Sequence, residues 1–189
     1  KELLNFCTVD LSAFYFDIRK DTLYCDSKDS ERRKSSIILL NIILESLIKW
    51  FAPILSFTTE EIFTLIDKDK KSIHLEKFMK FPKLFENERL NKKWIELKKI
   101  RDICNISIET KRASKEIGSS LEANLTINLN ERLFKITENT NFSELCITSG
   151  VKIQKKEAEE VSVITTKAEG EKCPVCWKIN KNGCDRHPA

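Results

Sequence analysis

Residues 87–129 read NERLNKKWIELKKIRDICNISIETKRASKEIGSSLEANLTINL, and this stretch decides the fold class. Over about 87–117 the apolar residues recur every three or four positions, which predicts a long amphipathic helix. The period then changes to two, because Leu125, Ile127 and Leu129 alternate with polar residues, a pattern typical of a strand. We therefore expect a helical part followed by a small α/β part, with the boundary near residue 118.

The residues before this stretch also predict helices. Segments 3–19 and 29–51 carry apolar residues at helical spacing and contain neither Gly nor Pro. A shorter helix is expected to end near Ile66, with Thr58 and Glu61 as a capping box at its start. The second helix has apolar residues on more than one side and is expected to be buried on most sides. Residues 68–83 are rich in charge and are interpreted as a connection.

The apolar part of the second helix does not predict a membrane span. Asn41, Glu45 and Lys49 follow one another at a spacing of four residues, so they form one polar stripe on a helix. A helix in the core of a globular protein, with one edge in water, explains this pattern better than a helix in lipid.

Charge and cysteine content limit the class of protein. The 189 residues carry a net charge of +4, from 33 basic and 29 acidic residues, which permits a polyanionic partner but does not demand one. Seven cysteines are an odd number, so a closed set of disulfides is not expected. With no signal peptide or lipidation motif, the sequence favours the reducing cytoplasm.

Residues 173–189, CPVCWKINKNGCDRHPA, contain a pattern of metal ligands. Cys173 and Cys176 are separated by two residues, and Cys184 and His187 repeat that gap. Three thiolates and one imidazole form a closed tetrahedral zinc site, which is structural rather than catalytic. Since so short a segment has little core, the metal would supply most of its folding free energy, on the order of 10–16 kcal/mol in zinc-finger peptides. The alternatives are a redox pair of cysteines or free thiols on a mobile tail.

The predicted fold is mainly α. A helical bundle over residues 1–118 is followed by a small α/β subdomain over residues 119–168. A zinc-binding knuckle over residues 169–189 completes the chain.

Several stretches resemble a known family. Residues 9–26, VDLSAFYFDIRKDTLYCD, followed by residues 30–33, SERR, and residues 52–62, APILSFTTEEI, closely resemble the anticodon-binding helical domain of bacterial isoleucyl-tRNA synthetases. Residues 115–123, KEIGSSLEA, are similar to the segment by which that family enters its α/β region. Residues 172–177, KCPVCW, resemble its zinc motif. The family's zinc site usually has four cysteines and a longer loop, whereas His187 takes the fourth place here.

The resemblance implies an isoleucine–tRNA ligase, a class I synthetase that activates isoleucine with ATP and charges the isoleucine tRNA. The catalytic and editing domains have no counterpart in this sequence, so ATP and Mg²⁺ would be used only by those domains and no catalytic residue is expected here. The implied partners are the tRNA for isoleucine and the remaining N-terminal domains of the same polypeptide. The expected state is a monomer in the cytoplasm, with no membrane partner.

Holding an anticodon arm requires cations for the phosphates of the stem and flat side chains for the bases of the loop. Trp177 is the predicted stacking residue, because it follows a metal knuckle that has little core to receive it. The alternative is that Trp177 packs over the thiolates or against the α/β subdomain. The predicted phosphate ligands are the basic residues near a helix start, along the fourth helix and in the tail: Arg32, Arg33, Lys92, Lys93, Lys98, Lys99, Lys111, Arg112, Lys115, Lys178, Lys181 and Arg186.

Two other classes of protein fit the same residues. One is a non-catalytic helical interaction protein that uses the zinc knuckle for protein contacts and has no affinity for tRNA. The other is the equivalent piece of a sister class I synthetase that is specific for another amino acid.

Overall fold

The computed structural model describes residues 1–66, 69, 71–157 and 160–187. Its α-helices are α1 (Glu2–Asn5), α2 (Asp17–Cys25), α3 (Glu31–Phe51), α4 (Ser56–Ile66), α5 (Glu88–Ala113), α6 (Glu131–Thr137) and α7 (Phe142–Leu145). Its strands are β1 (Ala123–Leu129), β2 (Gly150–Lys155), β3 (Ser162–Lys167), β4 (Glu171–Lys172) and β5 (Ile179–Asn180). Helices, then a small mixed sheet, then a Cys/His cluster confirm the predicted fold class.

The first helix is longer than the sequence predicted. A π-helical segment, Phe6–Phe16, joins α1 directly to α2, so the chain stays helical to Cys25. Single turns of 3₁₀ helix also occur, at Ile73–Leu75, Lys83–Phe85 and Ser120–Glu122.

Side-chain caps explain where several helices begin. The Asn87 side chain accepts a hydrogen bond from the Leu90 N–H at 2.9 Å and starts α5. At the other end, Lys115 adopts a left-handed φ of 59°, which stops α5 before residue 117, where the sequence placed its end. The predicted capping box at Thr58 is wrong, because α4 already begins at Ser56 and Thr58 lies inside its first turn.

The three longer strands form one mixed sheet in the order β2-β1-β3. β1 runs parallel to β2 and antiparallel to β3, and Ile127 lies opposite both Ile153 and Val163. The parallel pair needs a crossover connection, which α6 and α7 provide. The Ser107 hydroxyl of α5 lies 2.7 Å from the Thr165 hydroxyl of β3, so α5 packs across the sheet and a hydrogen bond fixes its position.

The chain forms two compact units: residues 1–18 with 87–189, and residues 19–86. In the first unit, α5 and the sheet share one core. Leu97, Ile100 and Cys104 of α5 belong to the same buried cluster as Leu125 and Ile127 of β1. The division of the chain at residues 118 and 168 remains a prediction.

The second unit has a smaller core, formed by Ile48, Ala52, Phe63 and Ile73. Lys49 is buried beside it, with its ammonium group 2.6 Å from Glu45 and 3.4 Å from Glu76. The hydrogen bond from Lys49 to Glu45 raises the pKa of Lys49, so the buried ammonium keeps its charge.

The expectation that α3 is buried on most sides is wrong. Ile38 is 61% exposed, and Ile37, Leu39 and Leu44 are also exposed. Within its unit, α3 packs mainly against α4 and the turn at Ile73–Leu75, and these cover one side of the helix. Helical spacing shows which residues share a face but not how many faces are covered.

Among the residues that the structure describes, no helix combines the length and the apolar composition that a membrane crossing requires.

Candidate metal centre and nucleic-acid interface

A short β-hairpin carries the cysteine cluster. β4 pairs with β5 in the antiparallel direction, and residues 173–178 join them. The Cys173 N–H donates to the Lys178 carbonyl at 2.9 Å, and the Trp177 N–H donates to the Cys173 carbonyl at 3.0 Å. Trp177 adopts a left-handed φ of 62°, which turns the chain back towards β5.

The structure brings the four predicted ligands together. The donor atoms of Cys173, Cys176, Cys184 and His187 all lie within 4.8 Å of one another. The His187 Nδ1 lies 3.6 Å from the Cys173 Sγ and 3.5 Å from the Cys184 Sγ, and the Sγ atoms of Cys176 and Cys184 are 3.7 Å apart. A cluster of three sulfurs and one imidazole with this spacing can hold a structural metal ion.

Backbone N–H groups already point at the sulfurs. Those of Cys176 and Val175 donate to the Cys173 sulfur, and together with the side chains of Cys176 and His187 they lower the pKa of Cys173 to about 6. Burial raises the pKa of Cys176 to about 11, although the Lys178 N–H donates to its sulfur. Cys173 is therefore prepared as a thiolate, whereas Cys176 needs the positive charge of a metal ion to become one.

Within the first unit, Ser149 connects the hairpin to the segment that precedes β1. The Ile179 N–H donates to the Ser149 Oγ at 2.7 Å, and this hydroxyl in turn donates to the Leu121 carbonyl. The sequence did not predict a role for Ser149. No local pattern distinguishes a serine whose hydroxyl accepts a hydrogen bond from a backbone N–H 30 positions later. The cluster is therefore held by the small sheet and its connections rather than by a flexible tail.

Gly170, just before β4, allows the hairpin to close. Its φ of 124° is unfavourable for other residues, and a Cβ there would collide with the backbone carbon and oxygen of Asn180. We expect Gly170→Ala to weaken metal binding, because the strained backbone alone costs about 1–3 kcal/mol and the collision adds to it. Competition with a metal chelator measures the change in affinity.

Gly183→Ala is the matched control. Gly183 also has a positive φ, of 82°, but a Cβ added there would meet no atom within 4 Å. This variant should lose less metal affinity than Gly170→Ala. Equal losses would show that the approach of Gly170 to Asn180 has no role in the site.

The predicted phosphate ligands on α5 lie at the surface, but most have acidic partners. Salt bridges of 2.7–2.8 Å join Lys92 to Glu88, Lys98 to Asp10, Lys99 to Glu96, Lys111 to Glu116 and Arg112 to Glu109. Lys93 donates to the Glu138 carbonyl at 2.9 Å. Lys115 is exposed just beyond the end of α5. Since exposed ion pairs contribute little stability, a phosphate can replace these carboxylates at small cost.

Arg32 and Arg33 belong to the other unit. Arg32 donates to the Thr22 hydroxyl at 3.1 Å, and its Nε lies 3.9 Å from a carboxylate oxygen of Asp26. Arg33 is half-buried. Arg32 therefore holds the start of α3 against α2, which is a structural role in addition to the predicted one.

The other predicted residues of the knuckle lie between Cys176 and His187 in the sequence. Trp177 is 58% exposed, and the Lys172 ammonium lies 5.3 Å from the centre of its ring. Lys178 and Arg186 are half-buried, and Lys181 is exposed and pairs with Glu169 at 2.6 Å. The indole of Trp177 therefore presents most of its surface to solvent beside a cationic group.

Known proteins are similar to this chain over nearly its whole length. Residues 1–127 match the family of anticodon-binding domains of tRNA ligases. The isoleucine–tRNA ligase of Pelagibacter ubique is 74% identical over 187 residues, which are 99% of this chain and 21% of that protein. The ligases of the same name from Agrobacterium fabrum and Bartonella henselae are 37% and 38% identical over 95% and 96% of this chain. The chain spans about a fifth of the length of these relatives.

Proposed function

The chain belongs to the family of anticodon-binding domains of tRNA ligases, and on that premise we propose that it holds the anticodon arm of the isoleucine tRNA for an isoleucine–tRNA ligase. Activation of isoleucine with ATP and Mg²⁺ would be the work of other parts of such an enzyme. The protein would act in the cytoplasm as a monomer, joined to those parts in one polypeptide.

Zinc is the metal that we propose for the cluster. Tetrahedral zinc, with bonds of about 2.3 Å to sulfur and about 2.0 Å to nitrogen, places sulfurs about 3.8 Å apart and sulfur about 3.5 Å from nitrogen. The corresponding distances here are 3.7 Å between the Cys176 and Cys184 sulfurs and 3.5–3.6 Å from the His187 Nδ1 to two sulfurs. All four positions of a tetrahedral ion are then filled by the protein, so the metal holds the hairpin and takes no part in chemistry.

The exposed indole of Trp177 is the observation that best supports RNA binding by the knuckle. At 58% exposure, the indole leaves a large flat apolar surface that a partner can cover. Unpaired bases of an anticodon loop offer flat surfaces for stacking on Trp177. Lys172 and Lys178, which are close to Trp177 in the sequence, would contact the phosphates next to the stacked base. The basic residues of α5 would hold the phosphates of the stem.

Binding to purified tRNA tests the proposal. The zinc-loaded chain should bind the isoleucine tRNA more tightly than a non-cognate tRNA, with an affinity that falls as salt is raised. Fluorescence anisotropy of labelled tRNA measures both. Equal affinity for the two tRNAs would show that the chain binds RNA through its charge, without the proposed specificity. No binding to either tRNA would reject the proposal for this chain.

Trp177→Ala should weaken binding of the isoleucine tRNA by about 5- to 150-fold, because stacking of one base on an aromatic ring contributes about 1–3 kcal/mol. Trp177→Phe should restore part of the affinity, since it keeps a ring. Val175→Ala is the matched control, because Val175 is a half-exposed residue of the same turn, at 49%. If Trp177→Ala binds as tightly as the parent, Trp177 does not contact RNA.

A further inference from the structure

Residues 77–85, KFMKFPKLF, form a surface that the predicted site does not include. We call this segment the lysine–phenylalanine strip. It lies wholly in the unit of residues 19–86, between the single turn of 3₁₀ helix at Ile73–Leu75 and the end of the one at Lys83–Phe85. The sequence predicted only a connection here. Lysines recur every third residue, at positions 77, 80 and 83, with aromatic residues between and after them.

Two contacts fix the strip to α3. The Ser46 hydroxyl, which is buried, lies 3.3 Å from the Met79 sulfur. The Phe81 ring lies 6.5 Å from the Trp50 ring and 6.4 Å from the Phe85 ring, measured between centroids. Trp50, Phe81 and Phe85 therefore form a row of aromatic rings, with α3 as its support.

The outer side chains of the strip are largely in water. Phe78 is 62% exposed, Phe85 is 63% exposed and Leu84 is 86% exposed. Phe85 is held by Phe81 and is nevertheless exposed, so it loses little conformational entropy when a partner covers it, which suits it to binding.

The lysines of the strip differ from those of α5. Most basic residues of α5 have a carboxylate at salt-bridge distance, whereas in the described part of the chain no salt bridge involves Lys77, Lys80 or Lys83. All three are exposed. In an extended chain, a spacing of three residues places successive Cα atoms about 10 Å apart. The strip thus combines three exposed lysines, for which no salt bridge is found within the described residues, with exposed rings.

We propose that the lysine–phenylalanine strip binds unpaired nucleotides of RNA. The phosphates would lie along Lys77, Lys80 and Lys83, and the bases would stack on Phe78 and Phe85. Surfaces that bind single-stranded nucleic acid combine these two features, a positive groove for the backbone and aromatic platforms for the bases. An apolar protein partner would use the rings but would leave three lysine charges without partners. The inference rests on the proposed function, since it gives the same RNA a second contact.

Four variants of the whole zinc-loaded chain test the proposal against two probes. The probes are the isoleucine tRNA and a labelled single-stranded oligouridine of about 12 nucleotides, within the range that such surfaces bind. The first variant is Phe78→Ala with Phe85→Ala, and the second keeps apolar side chains, Phe78→Leu with Phe85→Leu. The third is Lys77→Gln with Lys80→Gln and Lys83→Gln. The control is Phe57→Ala, which removes a ring that is 93% exposed on α4 of the same unit.

We expect both double phenylalanine variants to bind oligouridine at least about tenfold more weakly than the parent, because neither Ala nor Leu offers a ring for stacking. The triple lysine variant should lower the slope of log affinity against log salt by roughly two units, at about 0.7 per lost phosphate contact. Phe57→Ala should bind as the parent does. Circular dichroism that matches the parent shows that each variant remains folded.

Three results would overturn the proposal. One is a parent chain that does not bind oligouridine. Another is unchanged affinity and salt slope in the strip variants, and the third is full affinity in the leucine variant, which would indicate a general apolar contact. If the parent binds the isoleucine tRNA while the strip variants equal it, only the strip is rejected. If the parent binds no tRNA, the proposed function fails as well.

Discussion

Replacing Cys173 by serine should reduce the bound metal from about one ion per chain to nearly none. The variant removes one of four donors from a closed site, and its sulfur is the one whose pKa is lowered, to about 6. Metal binding supplies on the order of 10–16 kcal/mol to small zinc domains, so the hairpin of β4 and β5 should lose most of its stability without the metal. Elemental analysis of the purified protein measures the metal.

The effect should remain local. Residues 171–187 should lose their protection against hydrogen exchange, whereas the strands β1 and β2 should keep theirs, because the buried cluster around Ile127 does not depend on the metal. Cys7→Ser is the control, since Cys7 lies outside the ligand cluster. Full metal content in Cys173→Ser would contradict the assignment of the ligands, and equal loss in both variants would indicate a general effect of losing a thiol.

Leu97→Ala should destabilise the first unit by about 2–5 kcal/mol, which is the usual cost of a large cavity in a core. Leu97 is 1% exposed and lies in the buried cluster that α5 shares with the sheet. Leu90→Ala is the matched control, because Leu90 lies on the same helix and is 48% exposed. That variant should cost less than about 1 kcal/mol. Urea unfolding measures the free energy of unfolding of both variants. An m-value equal to that of the parent shows that the variant changed stability and not the surface that unfolding exposes.

The same experiment distinguishes the two ways of dividing the chain. If α5 and the sheet share a core, Leu97→Ala and Ile127→Ala should shift the same unfolding transition, and their double mutant should be non-additive. If residues 1–118 fold as an independent helical bundle, the two variants should shift separate transitions. The buried cluster that joins Leu97, Ile100 and Cys104 to β1 favours the first result.

Local patterns were sufficient for the order of the elements. The change of period after residue 118 predicted β1, and the match of residues 1–127 to anticodon-binding domains confirms the family that several short motifs indicated. The four clustered ligands were also predictable, because two-residue gaps bring paired donors together within a single turn. All these features depend on residues that are near one another in sequence.

Burial was less predictable. Ile38 belongs to a helix whose sequence predicts burial on most sides, yet it is 61% exposed, because its unit supplies too few neighbours to cover α3. The lysine–phenylalanine strip looked like an ordinary charged connection for the related reason that sequence does not show which lysines have acidic partners. Lys98 finds Asp10 across 88 positions, whereas no salt bridge within the described residues involves Lys80.

The sequence by itself determined the order of the helices and strands, the family and the identity of the clustered ligands, because each depends on short local patterns or motifs. Only the tertiary structure decided that α5 shares its core with the sheet, that Ser149 accepts a hydrogen bond from the hairpin and that Trp177 faces solvent. The physical reason is that burial and charge pairing are set by residues that are distant along the chain. Such contacts form only when the folded backbone brings those residues within a few ångströms of one another.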